Sequence, residues 1–306
     1  MPHRHRHSVP YYLPPDMTIT ILSLHSYPVK SCAGIAHTET SLTEAGLAFD
    51  RQWVIVDRQG VFMTQRQYAR MALIQPAVGD GVLALDAPGM RPLVINQAAA
   101  SPVPPPVSVR IWGSDTLGLD EGDTVAQWLS EFMSVPCRLL RVHPQAARTA
   151  SRDHVNAWRR KHHDDAPGFP AEHEFGFADG FPFLVANQGS LNELNRQLHE
   201  KGEAPVPMNR FRPNIVLQGL DAYEEDYLAS MRLDAMTFAF VKRSARCPIP
   251  NIDQATAVSA PEPGLTLAEH RRSPEGVLFG VNAVVAGAGA GASLKIGDTL
   301  EPEFDL

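Results

Sequence analysis

The residues best suited to chemistry surround Cys247, in the run Lys242-Arg243-Ser244-Ala245-Arg246-Cys247-Pro248-Ile249-Pro250. Neighbouring cations lower the pKa of a thiol below its usual value of about 8.5, and the thiolate is the form that attacks electrophiles and binds soft metals. The prolines that follow end any helix and fix the turn that would present the sulfur. The alternative is a buried cysteine that packs as a small apolar side chain.

Basic and polar side chains also stand at the ends of several predicted strands. These segments are Tyr27-Pro28-Val29-Lys30-Ser31-Cys32, Asp50-Arg51-Gln52-Trp53, Thr64-Gln65-Arg66 and Asn209-Arg210-Phe211-Arg212-Pro213-Asn214. An arginine at such a point commonly reaches into solvent and needs no ligand. Taken together, the forked guanidinium groups suit bidentate capture of phosphate or carboxylate. We therefore predict an anionic ligand near a reactive sulfur.

The bulk composition is that of a globular protein, with 306 residues, 44% of them hydrophobic and 20% charged. A net charge of −7 does not favour nucleic acid or an anionic membrane as a partner. No apolar run reaches the ~20 residues of a membrane span, and the start lacks an apolar signal region, so we expect a cytoplasmic protein. Three cysteines are too few for a disulfide framework or for the four ligands of an ordinary iron–sulfur cluster.

The first half is predicted to be a disordered tail followed by short strands. In the tail, residues 1–16, His and Arg alternate from His3 to His7 and could bind metal, but a solvated tail is favoured. The strands are predicted from Ile19, at Trp53–Val56 and Val61–Met63 as a hairpin, and at Val82–Leu85, Leu93–Ile95 and Val107–Ile111, with a stiff loop at Pro102–Pro106. Their spacing is typical of barrels.

The middle of the chain is predicted to hold one helix, one strand and a long loop. The helix is capped by Asp123, the strand covers Leu139–Val142, and the loop covers Arg148–Ala178. Within that loop, His162-His163-Asp164-Asp165 could ligate a metal, although a solvated charge run is favoured because no ligand spacing supports a site.

The second half is again predicted to be rich in strands. A capping box of Ser190 and Glu193 should begin a helix whose apolar stripe packs into the core. Strands are predicted at Phe183–Ala186, Asn214–Leu217, Phe238–Val241 and Leu278–Val285, with a turn at Lys295–Asp298. The pattern favours a β-rich α+β fold.

Seven segments, in this order, resemble proteins that join a MOSC N-terminal β-barrel domain to a MOSC domain, such as the mitochondrial amidoxime-reducing component and its bacterial counterparts. The likeness covers nearly all of residues 18–303. The segments are Tyr27–Cys32, Asp50–Trp53, Thr64–Gln67, Phe177–Pro182, Phe211–Val216, Ser244–Cys247 and Leu294–Asp298. The resemblance implies a MOSC N-terminal β-barrel domain over residues 17–142 and a cofactor-binding MOSC β-barrel domain with a few helices over residues 143–306.

The resemblance also implies a molybdenum cofactor (Mo-molybdopterin), with Cys247 as the metal ligand. Positions that hold the pterin and its phosphate match Lys30, Ser31, Arg51, Arg212 and Asn214. Ser244 and Arg246 flank the ligand, and Asp179 matches an acidic residue suited to proton handling. On charge grounds we add Arg66 and Arg210. No pyridoxal phosphate site is expected.

The implied activity is reduction of N-hydroxylated small molecules, such as hydroxylamines, amidoximes or N-hydroxylated bases. Because no cysteine-rich ferredoxin-type segment follows the MOSC region, electrons should come from a separate ferredoxin- or flavoprotein-type donor. Pro248-Ile249-Pro250-Asn251-Ile252-Asp253 departs from the threonine-rich strand of relatives and alters the wall beside the metal. The alternatives are a cofactor carrier or sulfur-transfer protein with a persulfide on Cys247, and a degenerate domain that only binds an anion.

Overall fold

The computed structural model describes residues 18–79, 81–97 and 104–305. The predicted tail and the start of the predicted proline loop lie outside the described residues. The strands of the first half are β1 (Ile19–Ser26), β2 (Ile35–His37), β3 (Glu39–Thr43), β4 (Gly46–Leu47), β5 (Trp53–Val56), β6 (Gln75–Gly79), β7 (Val82–Asp86), β8 (Leu93–Asn96), β9 (Val107–Ile111), β10 (Ser114–Asp120) and β11 (Arg138–Val142). The strands of the second half are β12 (Phe183–Asn187), β13 (Ile215–Gln218), β14 (Leu228–Leu233), β15 (Met236–Ala245), β16 (Arg272–Ser273), β17 (Gly276–Ala286), β18 (Ser293–Lys295) and β19 (Thr299–Phe304). The α-helices are α1 (Asp123–Met133), α2 (Arg152–Lys161), α3 (Gln188–Glu200) and α4 (Gly264–His270).

Seven strands close into a barrel in the order β12-β13-β1-β19-β14-β15-β17, with β17 pairing back to β12. All of these pairs are antiparallel except β12–β13. Alternate side chains such as Ile21, Phe183, Phe238 and Val281 fill its interior. Closure satisfies both edges of every strand. This architecture confirms the predicted β-rich α+β fold.

Among the described residues, β5-β11-β10-β9 and β6-β7-β8 form two smaller sheets, β3 and β4 form a third sheet with β18, and β2 pairs with β1. Bridges from Val61 to Arg110 and from Phe62 to Val56 link the two edges of the first sheet. The strand β1 lies in the first predicted domain, yet it hydrogen-bonds to β13 and β19 of the large barrel. The boundary between residues 142 and 143 stays a prediction. Because β1 pairs with these two barrel strands, the segment that follows β1 lies directly at the end of the barrel.

Two predicted helix caps are wrong. Gly122, not Asp123, precedes the first turn of α1, and the Asp123 carboxylate pairs with Arg138 at 2.8 Å. Asn187 caps α3 by accepting the Gly189 N–H at 2.9 Å. A buried asparagine at the end of β12 therefore starts the helix three residues before the predicted position.

The predicted loop over Arg148–Ala178 is also wrong in part, because it contains α2. This helix buries Val155 and Trp158, and the Trp158 indole donates to the Ala229 carbonyl at 2.8 Å. The charged residues that suggested a loop lie on the outer face of the helix, while two apolar residues one turn apart face the barrel.

Ser190, the residue of the supposed capping box, instead binds a buried carboxylate. Its hydroxyl donates to the two oxygens of Glu225 at 2.8 and 2.6 Å, and the Asn187 side chain approaches the same carboxylate at 3.3 Å. Glu225 is fully buried. Burial raises the pKa of Glu225 to about 7 from its usual value of 4.5, although the Ser190 hydrogen bonds oppose the rise.

We predict that Glu225→Gln makes the free energy of unfolding depend less on pH. Between the unfolded pKa and the raised folded pKa, the folded protein binds more protons than the unfolded chain, so wild-type stability falls as pH rises to about 7 and then levels off. Relative to Glu225→Gln, the wild type should lose about 2 kcal/mol of unfolding free energy between pH 5 and pH 8. Urea unfolding at the two pH values measures this difference. Glu301→Gln, at an exposed position of β19, is the control; an equal effect in both variants would contradict the prediction.

Candidate functional site

A cavity of about 380 Å³ opens at the end of the barrel, where β13 and β15 meet the segment that follows β1. We call it the cationic cavity. Ten of the eleven side chains predicted from the sequence line it: Lys30, Ser31, Arg51, Arg66, Asp179, Arg212, Asn214, Ser244, Arg246 and Cys247. Segments far apart in the sequence therefore converge on one site.

Two arginines of the cavity are held against the same tyrosine ring. The guanidinium carbons of Arg51 and Arg212 lie 4.3 and 4.2 Å from the centre of the Tyr27 ring. Arg51 also donates to both oxygens of Asp50 at 2.7 Å and to the Asn214 side-chain oxygen at 3.1 Å. These contacts offset the repulsion between two nearby cations.

The backbone is strained at four positions in the cavity wall. Ser31, Arg51, Trp112 and Arg212 adopt positive φ values of 67°, 47°, 54° and 57°. Non-glycine residues rarely adopt this left-handed conformation, and such residues cluster at ligand sites, where surrounding contacts enforce it. All four of these residues line the cavity.

Lys30 and Asp179 form the central ion pair of the cavity, with Nζ and Oδ1 2.6 Å apart. The lysine side chain is 6% exposed and that of the aspartate 69% exposed. The Trp112 indole donates to the same oxygen at 2.9 Å, and its ring carries the Arg66 guanidinium 4.2 Å from its centre. Trp112, which sequence reasoning missed, thus joins the two halves of the chain at the mouth of the cavity.

The ion pair changes the titration of both partners. Desolvation alone would raise the pKa of Asp179, but the attraction and hydrogen bond of Lys30 hold it well below its usual range. Burial lowers the pKa of Lys30 from its usual value, with Asp179 opposing the change. Asp179 is therefore ionised at neutral pH and serves as a counter-ion.

Around Cys247 the strand β15 ends in a short polar segment. Arg246 donates to the Ser244 hydroxyl at 3.1 Å and to the Phe211 carbonyl at 2.8 Å. Its Nε is buried and has no hydrogen-bond partner among the described residues. Burial lowers the pKa of Arg246 from its usual value. A buried donor without a partner at a cavity wall suits an anionic or polar ligand.

The three cysteines occupy different environments. Cys32 and Cys137 are buried in the apolar core of the first half, while Cys247 is partly exposed. Burial raises the pKa of Cys32 to about 12 and that of Cys137 to about 11. Cys247 therefore differs from the other two cysteines in its exposure.

Two further sets of hydrogen bonds hold the cavity wall in place, and neither was predicted from the sequence. Gln65 donates to the Ser31 carbonyl at 2.8 Å and pairs with Gln254, which accepts from Arg212 at 3.3 Å. Arg148 donates to the carbonyl oxygens of residues 176, 178 and 179, so it fixes the segment that carries Asp179. No local pattern identifies these side chains, because their partners are distant in the sequence.

Some predicted residues lie elsewhere. Arg210 is not among the residues that line the cavity; it pairs with Asp253 at 2.8 Å and donates to the Pro250 carbonyl at 3.2 Å. His162 is buried against Trp158 rather than solvated, with Asp165 and Glu303 nearby. His163 and Asp164 are exposed and contact only each other among the described ion pairs.

Comparison with known proteins agrees with this arrangement. Residues 18–136 match the MOSC N-terminal beta barrel domain, and residues 172–301 match the MOSC domain. The chain is 30% identical to human mitochondrial amidoxime-reducing component 1 over 298 residues, covering 91% of this chain and 81% of the human protein. The same component from mouse is 30% identical over 263 residues, covering 82% and 71% of the two chains.

A third relative is the human molybdenum cofactor sulfurase, which is 29% identical over 246 residues, or 77% of this chain and 27% of the sulfurase. A solution structure from Bordetella bronchiseptica aligns with a TM-score of 0.28 at 26% identity, over 34% of this chain and 85% of that chain, too slight a likeness to carry an argument. Among the described helices, none combines the length and the apolar character needed to cross a bilayer.

We predict that Asp179→Asn raises the affinity of the cationic cavity for inorganic phosphate. The substitution removes the carboxylate that neutralises Lys30, so the buried ammonium becomes available to the anion. The expected gain is about fivefold, or about 1 kcal/mol, measured by isothermal titration calorimetry.

Asp253→Asn is the matched control, since Asp253 pairs with Arg210 outside the cavity and should leave phosphate binding unchanged. Equal or weaker phosphate binding by Asp179→Asn would show that the lysine is not the anion contact.

Proposed function

The chain belongs to the family of proteins that join a MOSC N-terminal beta barrel domain to a MOSC domain, and we propose that it is a molybdenum-cofactor-dependent reductase of N-hydroxylated compounds. The substrate class comprises hydroxylamines, amidoximes and N-hydroxylated bases. The single observation that carries the proposal is that Cys247 lies in the wall of a cavity rich in arginine and lysine. The names of the relatives, an amidoxime-reducing component and a molybdenum cofactor sulfurase, support it.

The residues of the cavity fit such a cofactor. Six cations and a single carboxylate, that of Asp179, line it, so an anionic ligand is needed to balance the charge; the cations are Lys30, Arg51, Arg66, Arg212, Lys242 and Arg246. The unpartnered Nε of Arg246 offers a further donor beside Cys247. A thiolate next to such donors is a suitable ligand for a soft, redox-active metal.

In this proposal each group has a defined task. Forked guanidinium groups and an ammonium bind the cofactor phosphate, while hydroxyl and amide groups orient the pterin; these residues are Lys30, Ser31, Arg51, Arg66, Arg212 and Asn214. Cys247 binds the molybdenum through its sulfur. Ser244 and Arg246 hold the ligand segment in place through their hydrogen bond.

When bound, the molybdenum cofactor supplies the two-electron chemistry that removes oxygen from the substrate. The overall reaction consumes R–NH–OH, two protons and two electrons, and it yields R–NH2 and water. The proton route would run through Lys30 Nζ, which donates a hydrogen bond to the ionised Asp179 carboxylate at 2.6 Å. Asp179 would support proton handling by holding the ammonium group in place, while Lys30 regains its proton from solvent.

Substituting Cys247 tests the proposal. We expect Cys247→Ser, loaded in a cofactor-producing host, to lose at least ~100-fold in amine formation from hydroxylamine with a chemical reductant, because a ligand substitution should cost more than the 10–100-fold typical of residues around it. Molybdenum content per chain should fall in parallel. Cys137→Ala, in the distant apolar core, is the control. Retained activity and metal in Cys247→Ser would exclude this sulfur as the ligand.

The match to the cofactor sulfurase favours one alternative, in which the chain carries cofactor or transfers sulfur. Cys247 would then accept a sulfur atom from another protein's cysteine persulfide, which keeps a thiol, and no reductant would be needed for loading. Mass spectrometry after incubation with a cysteine desulfurase distinguishes the two functions: a persulfide on Cys247 without reductase activity supports sulfur transfer.

Electron supply and location complete the proposal. We propose a separate ferredoxin- or flavoprotein-type donor and a cytoplasmic site of action. The lysine and arginine side chains that line the cavity do not accept electrons, so the bound cofactor has to receive them. The donor protein therefore has to approach the cofactor itself.

A further inference from the structure

A second cavity, of about 310 Å³, adjoins the cationic cavity, and both are lined by Arg246 and Cys247. Its remaining wall comes from the turn at Ile249–Asn251, the helix α4 and the beginning of β17. We call it the apolar cavity. Cys247 therefore stands between two spaces of opposite character.

The chemistry of the apolar cavity follows from its lining. Six apolar side chains dominate it: Pro248, Pro250, Pro261, Leu265, Leu267 and Val277. Arg246 is its single charged lining residue, and that guanidinium donates to Ser244 and Phe211. The Asn251 side-chain oxygen accepts the Gly264 N–H at 2.9 Å. The wall thus offers a ligand apolar surface and no carboxylate.

The wall is also fixed in place. Prolines restrict the backbone on both sides of the cavity. A Cβ on Gly264 would stand 2.7 Å from the Asn251 side-chain oxygen, so only glycine lets α4 begin this close to the turn. The Arg246 N–H donates to the Val277 carbonyl at 2.7 Å and joins the Cys247 segment to β17. A preformed apolar pocket gains affinity because little ordering is needed on binding.

We propose that the apolar cavity is the substrate subsite. It takes an uncharged aryl or branched alkyl group attached to the carbon of an amidoxime or to the nitrogen of a hydroxylamine. This inference rests on the proposed function. Its size is sufficient, since an apolar cavity of about 150 Å³ holds a benzene molecule. A substrate seated there directs its N–O bond toward Cys247, where the cationic cavity begins. Leu265, 55% exposed, forms the rim through which it enters.

Two amidoximes that differ only in this group provide the test. Benzamidoxime carries a phenyl ring and acetamidoxime a methyl group, so the ratio of their kcat/KM values reports the subsite alone. We expect Leu265→Asn to lower the ratio about 3–10-fold, because the loss in kcat/KM is larger for benzamidoxime than for acetamidoxime. Val277→Phe, which fills the cavity from β17, should lower it as well. Val258→Asn, at an apolar residue that is 62% exposed and absent from the lining, is the matched control.

A binding measurement separates this inference from the reductase proposal. Benzamide, an uncharged and unreactive analogue, should bind more tightly than acetamide by calorimetry in protein with or without cofactor, and Leu265→Asn should remove the difference. Equal binding of the two amides, or a ratio unaffected by Leu265→Asn and Val277→Phe, overturns the subsite while reduction of both amidoximes leaves the reductase standing. Failure of the loaded wild type to reduce either amidoxime overturns both.

Discussion

The site depends on holding several cations close together in a largely buried space. The Tyr27 ring contacts the guanidinium groups of both Arg51 and Arg212. Asp179 neutralises Lys30, and the Trp112 ring lies against the Arg66 guanidinium. Burial lowers the pKa of Arg212, Arg246 and Lys30, so these three cations carry a desolvation cost as well as their mutual repulsion. The strained backbone of the cavity wall adds a further free-energy cost, which the surrounding contacts also have to offset.

Both halves of the chain contribute side chains to the cationic cavity. The strand β1 completes the barrel and delivers Lys30 and Ser31 to its end, while β15 delivers Ser244 and Cys247 from the other half. The pair of Gln65 and Gln254 joins the two walls directly. A rigid closed barrel is a suitable support, because small displacements of any wall would separate the donors.

Cys247 lies between two cavities whose linings suit different ligands. On one side, cations and amides suit a polyanionic ligand; on the other, prolines and leucines suit an uncharged apolar group. Pro248, Pro250 and Asn251 belong to the segment that we expected to alter the wall beside the metal, and all three line the apolar cavity. In the proposed function, cofactor binding and substrate choice would depend on different side chains, except for Arg246 and Cys247, which line both cavities.

The residue types of the site, most strands and the family could be predicted from the amino-acid sequence, because short motifs and apolar alternation are local properties. Ten of the residues that it named line one cavity, whereas Arg210 pairs with Asp253 and is not among the lining residues. Only the tertiary structure revealed Trp112, Arg148 and the helix over Arg152–Lys161, since their partners lie far away along the chain. Which charges meet, and which remain unpaired, is decided by long-range packing and burial, which no local pattern encodes.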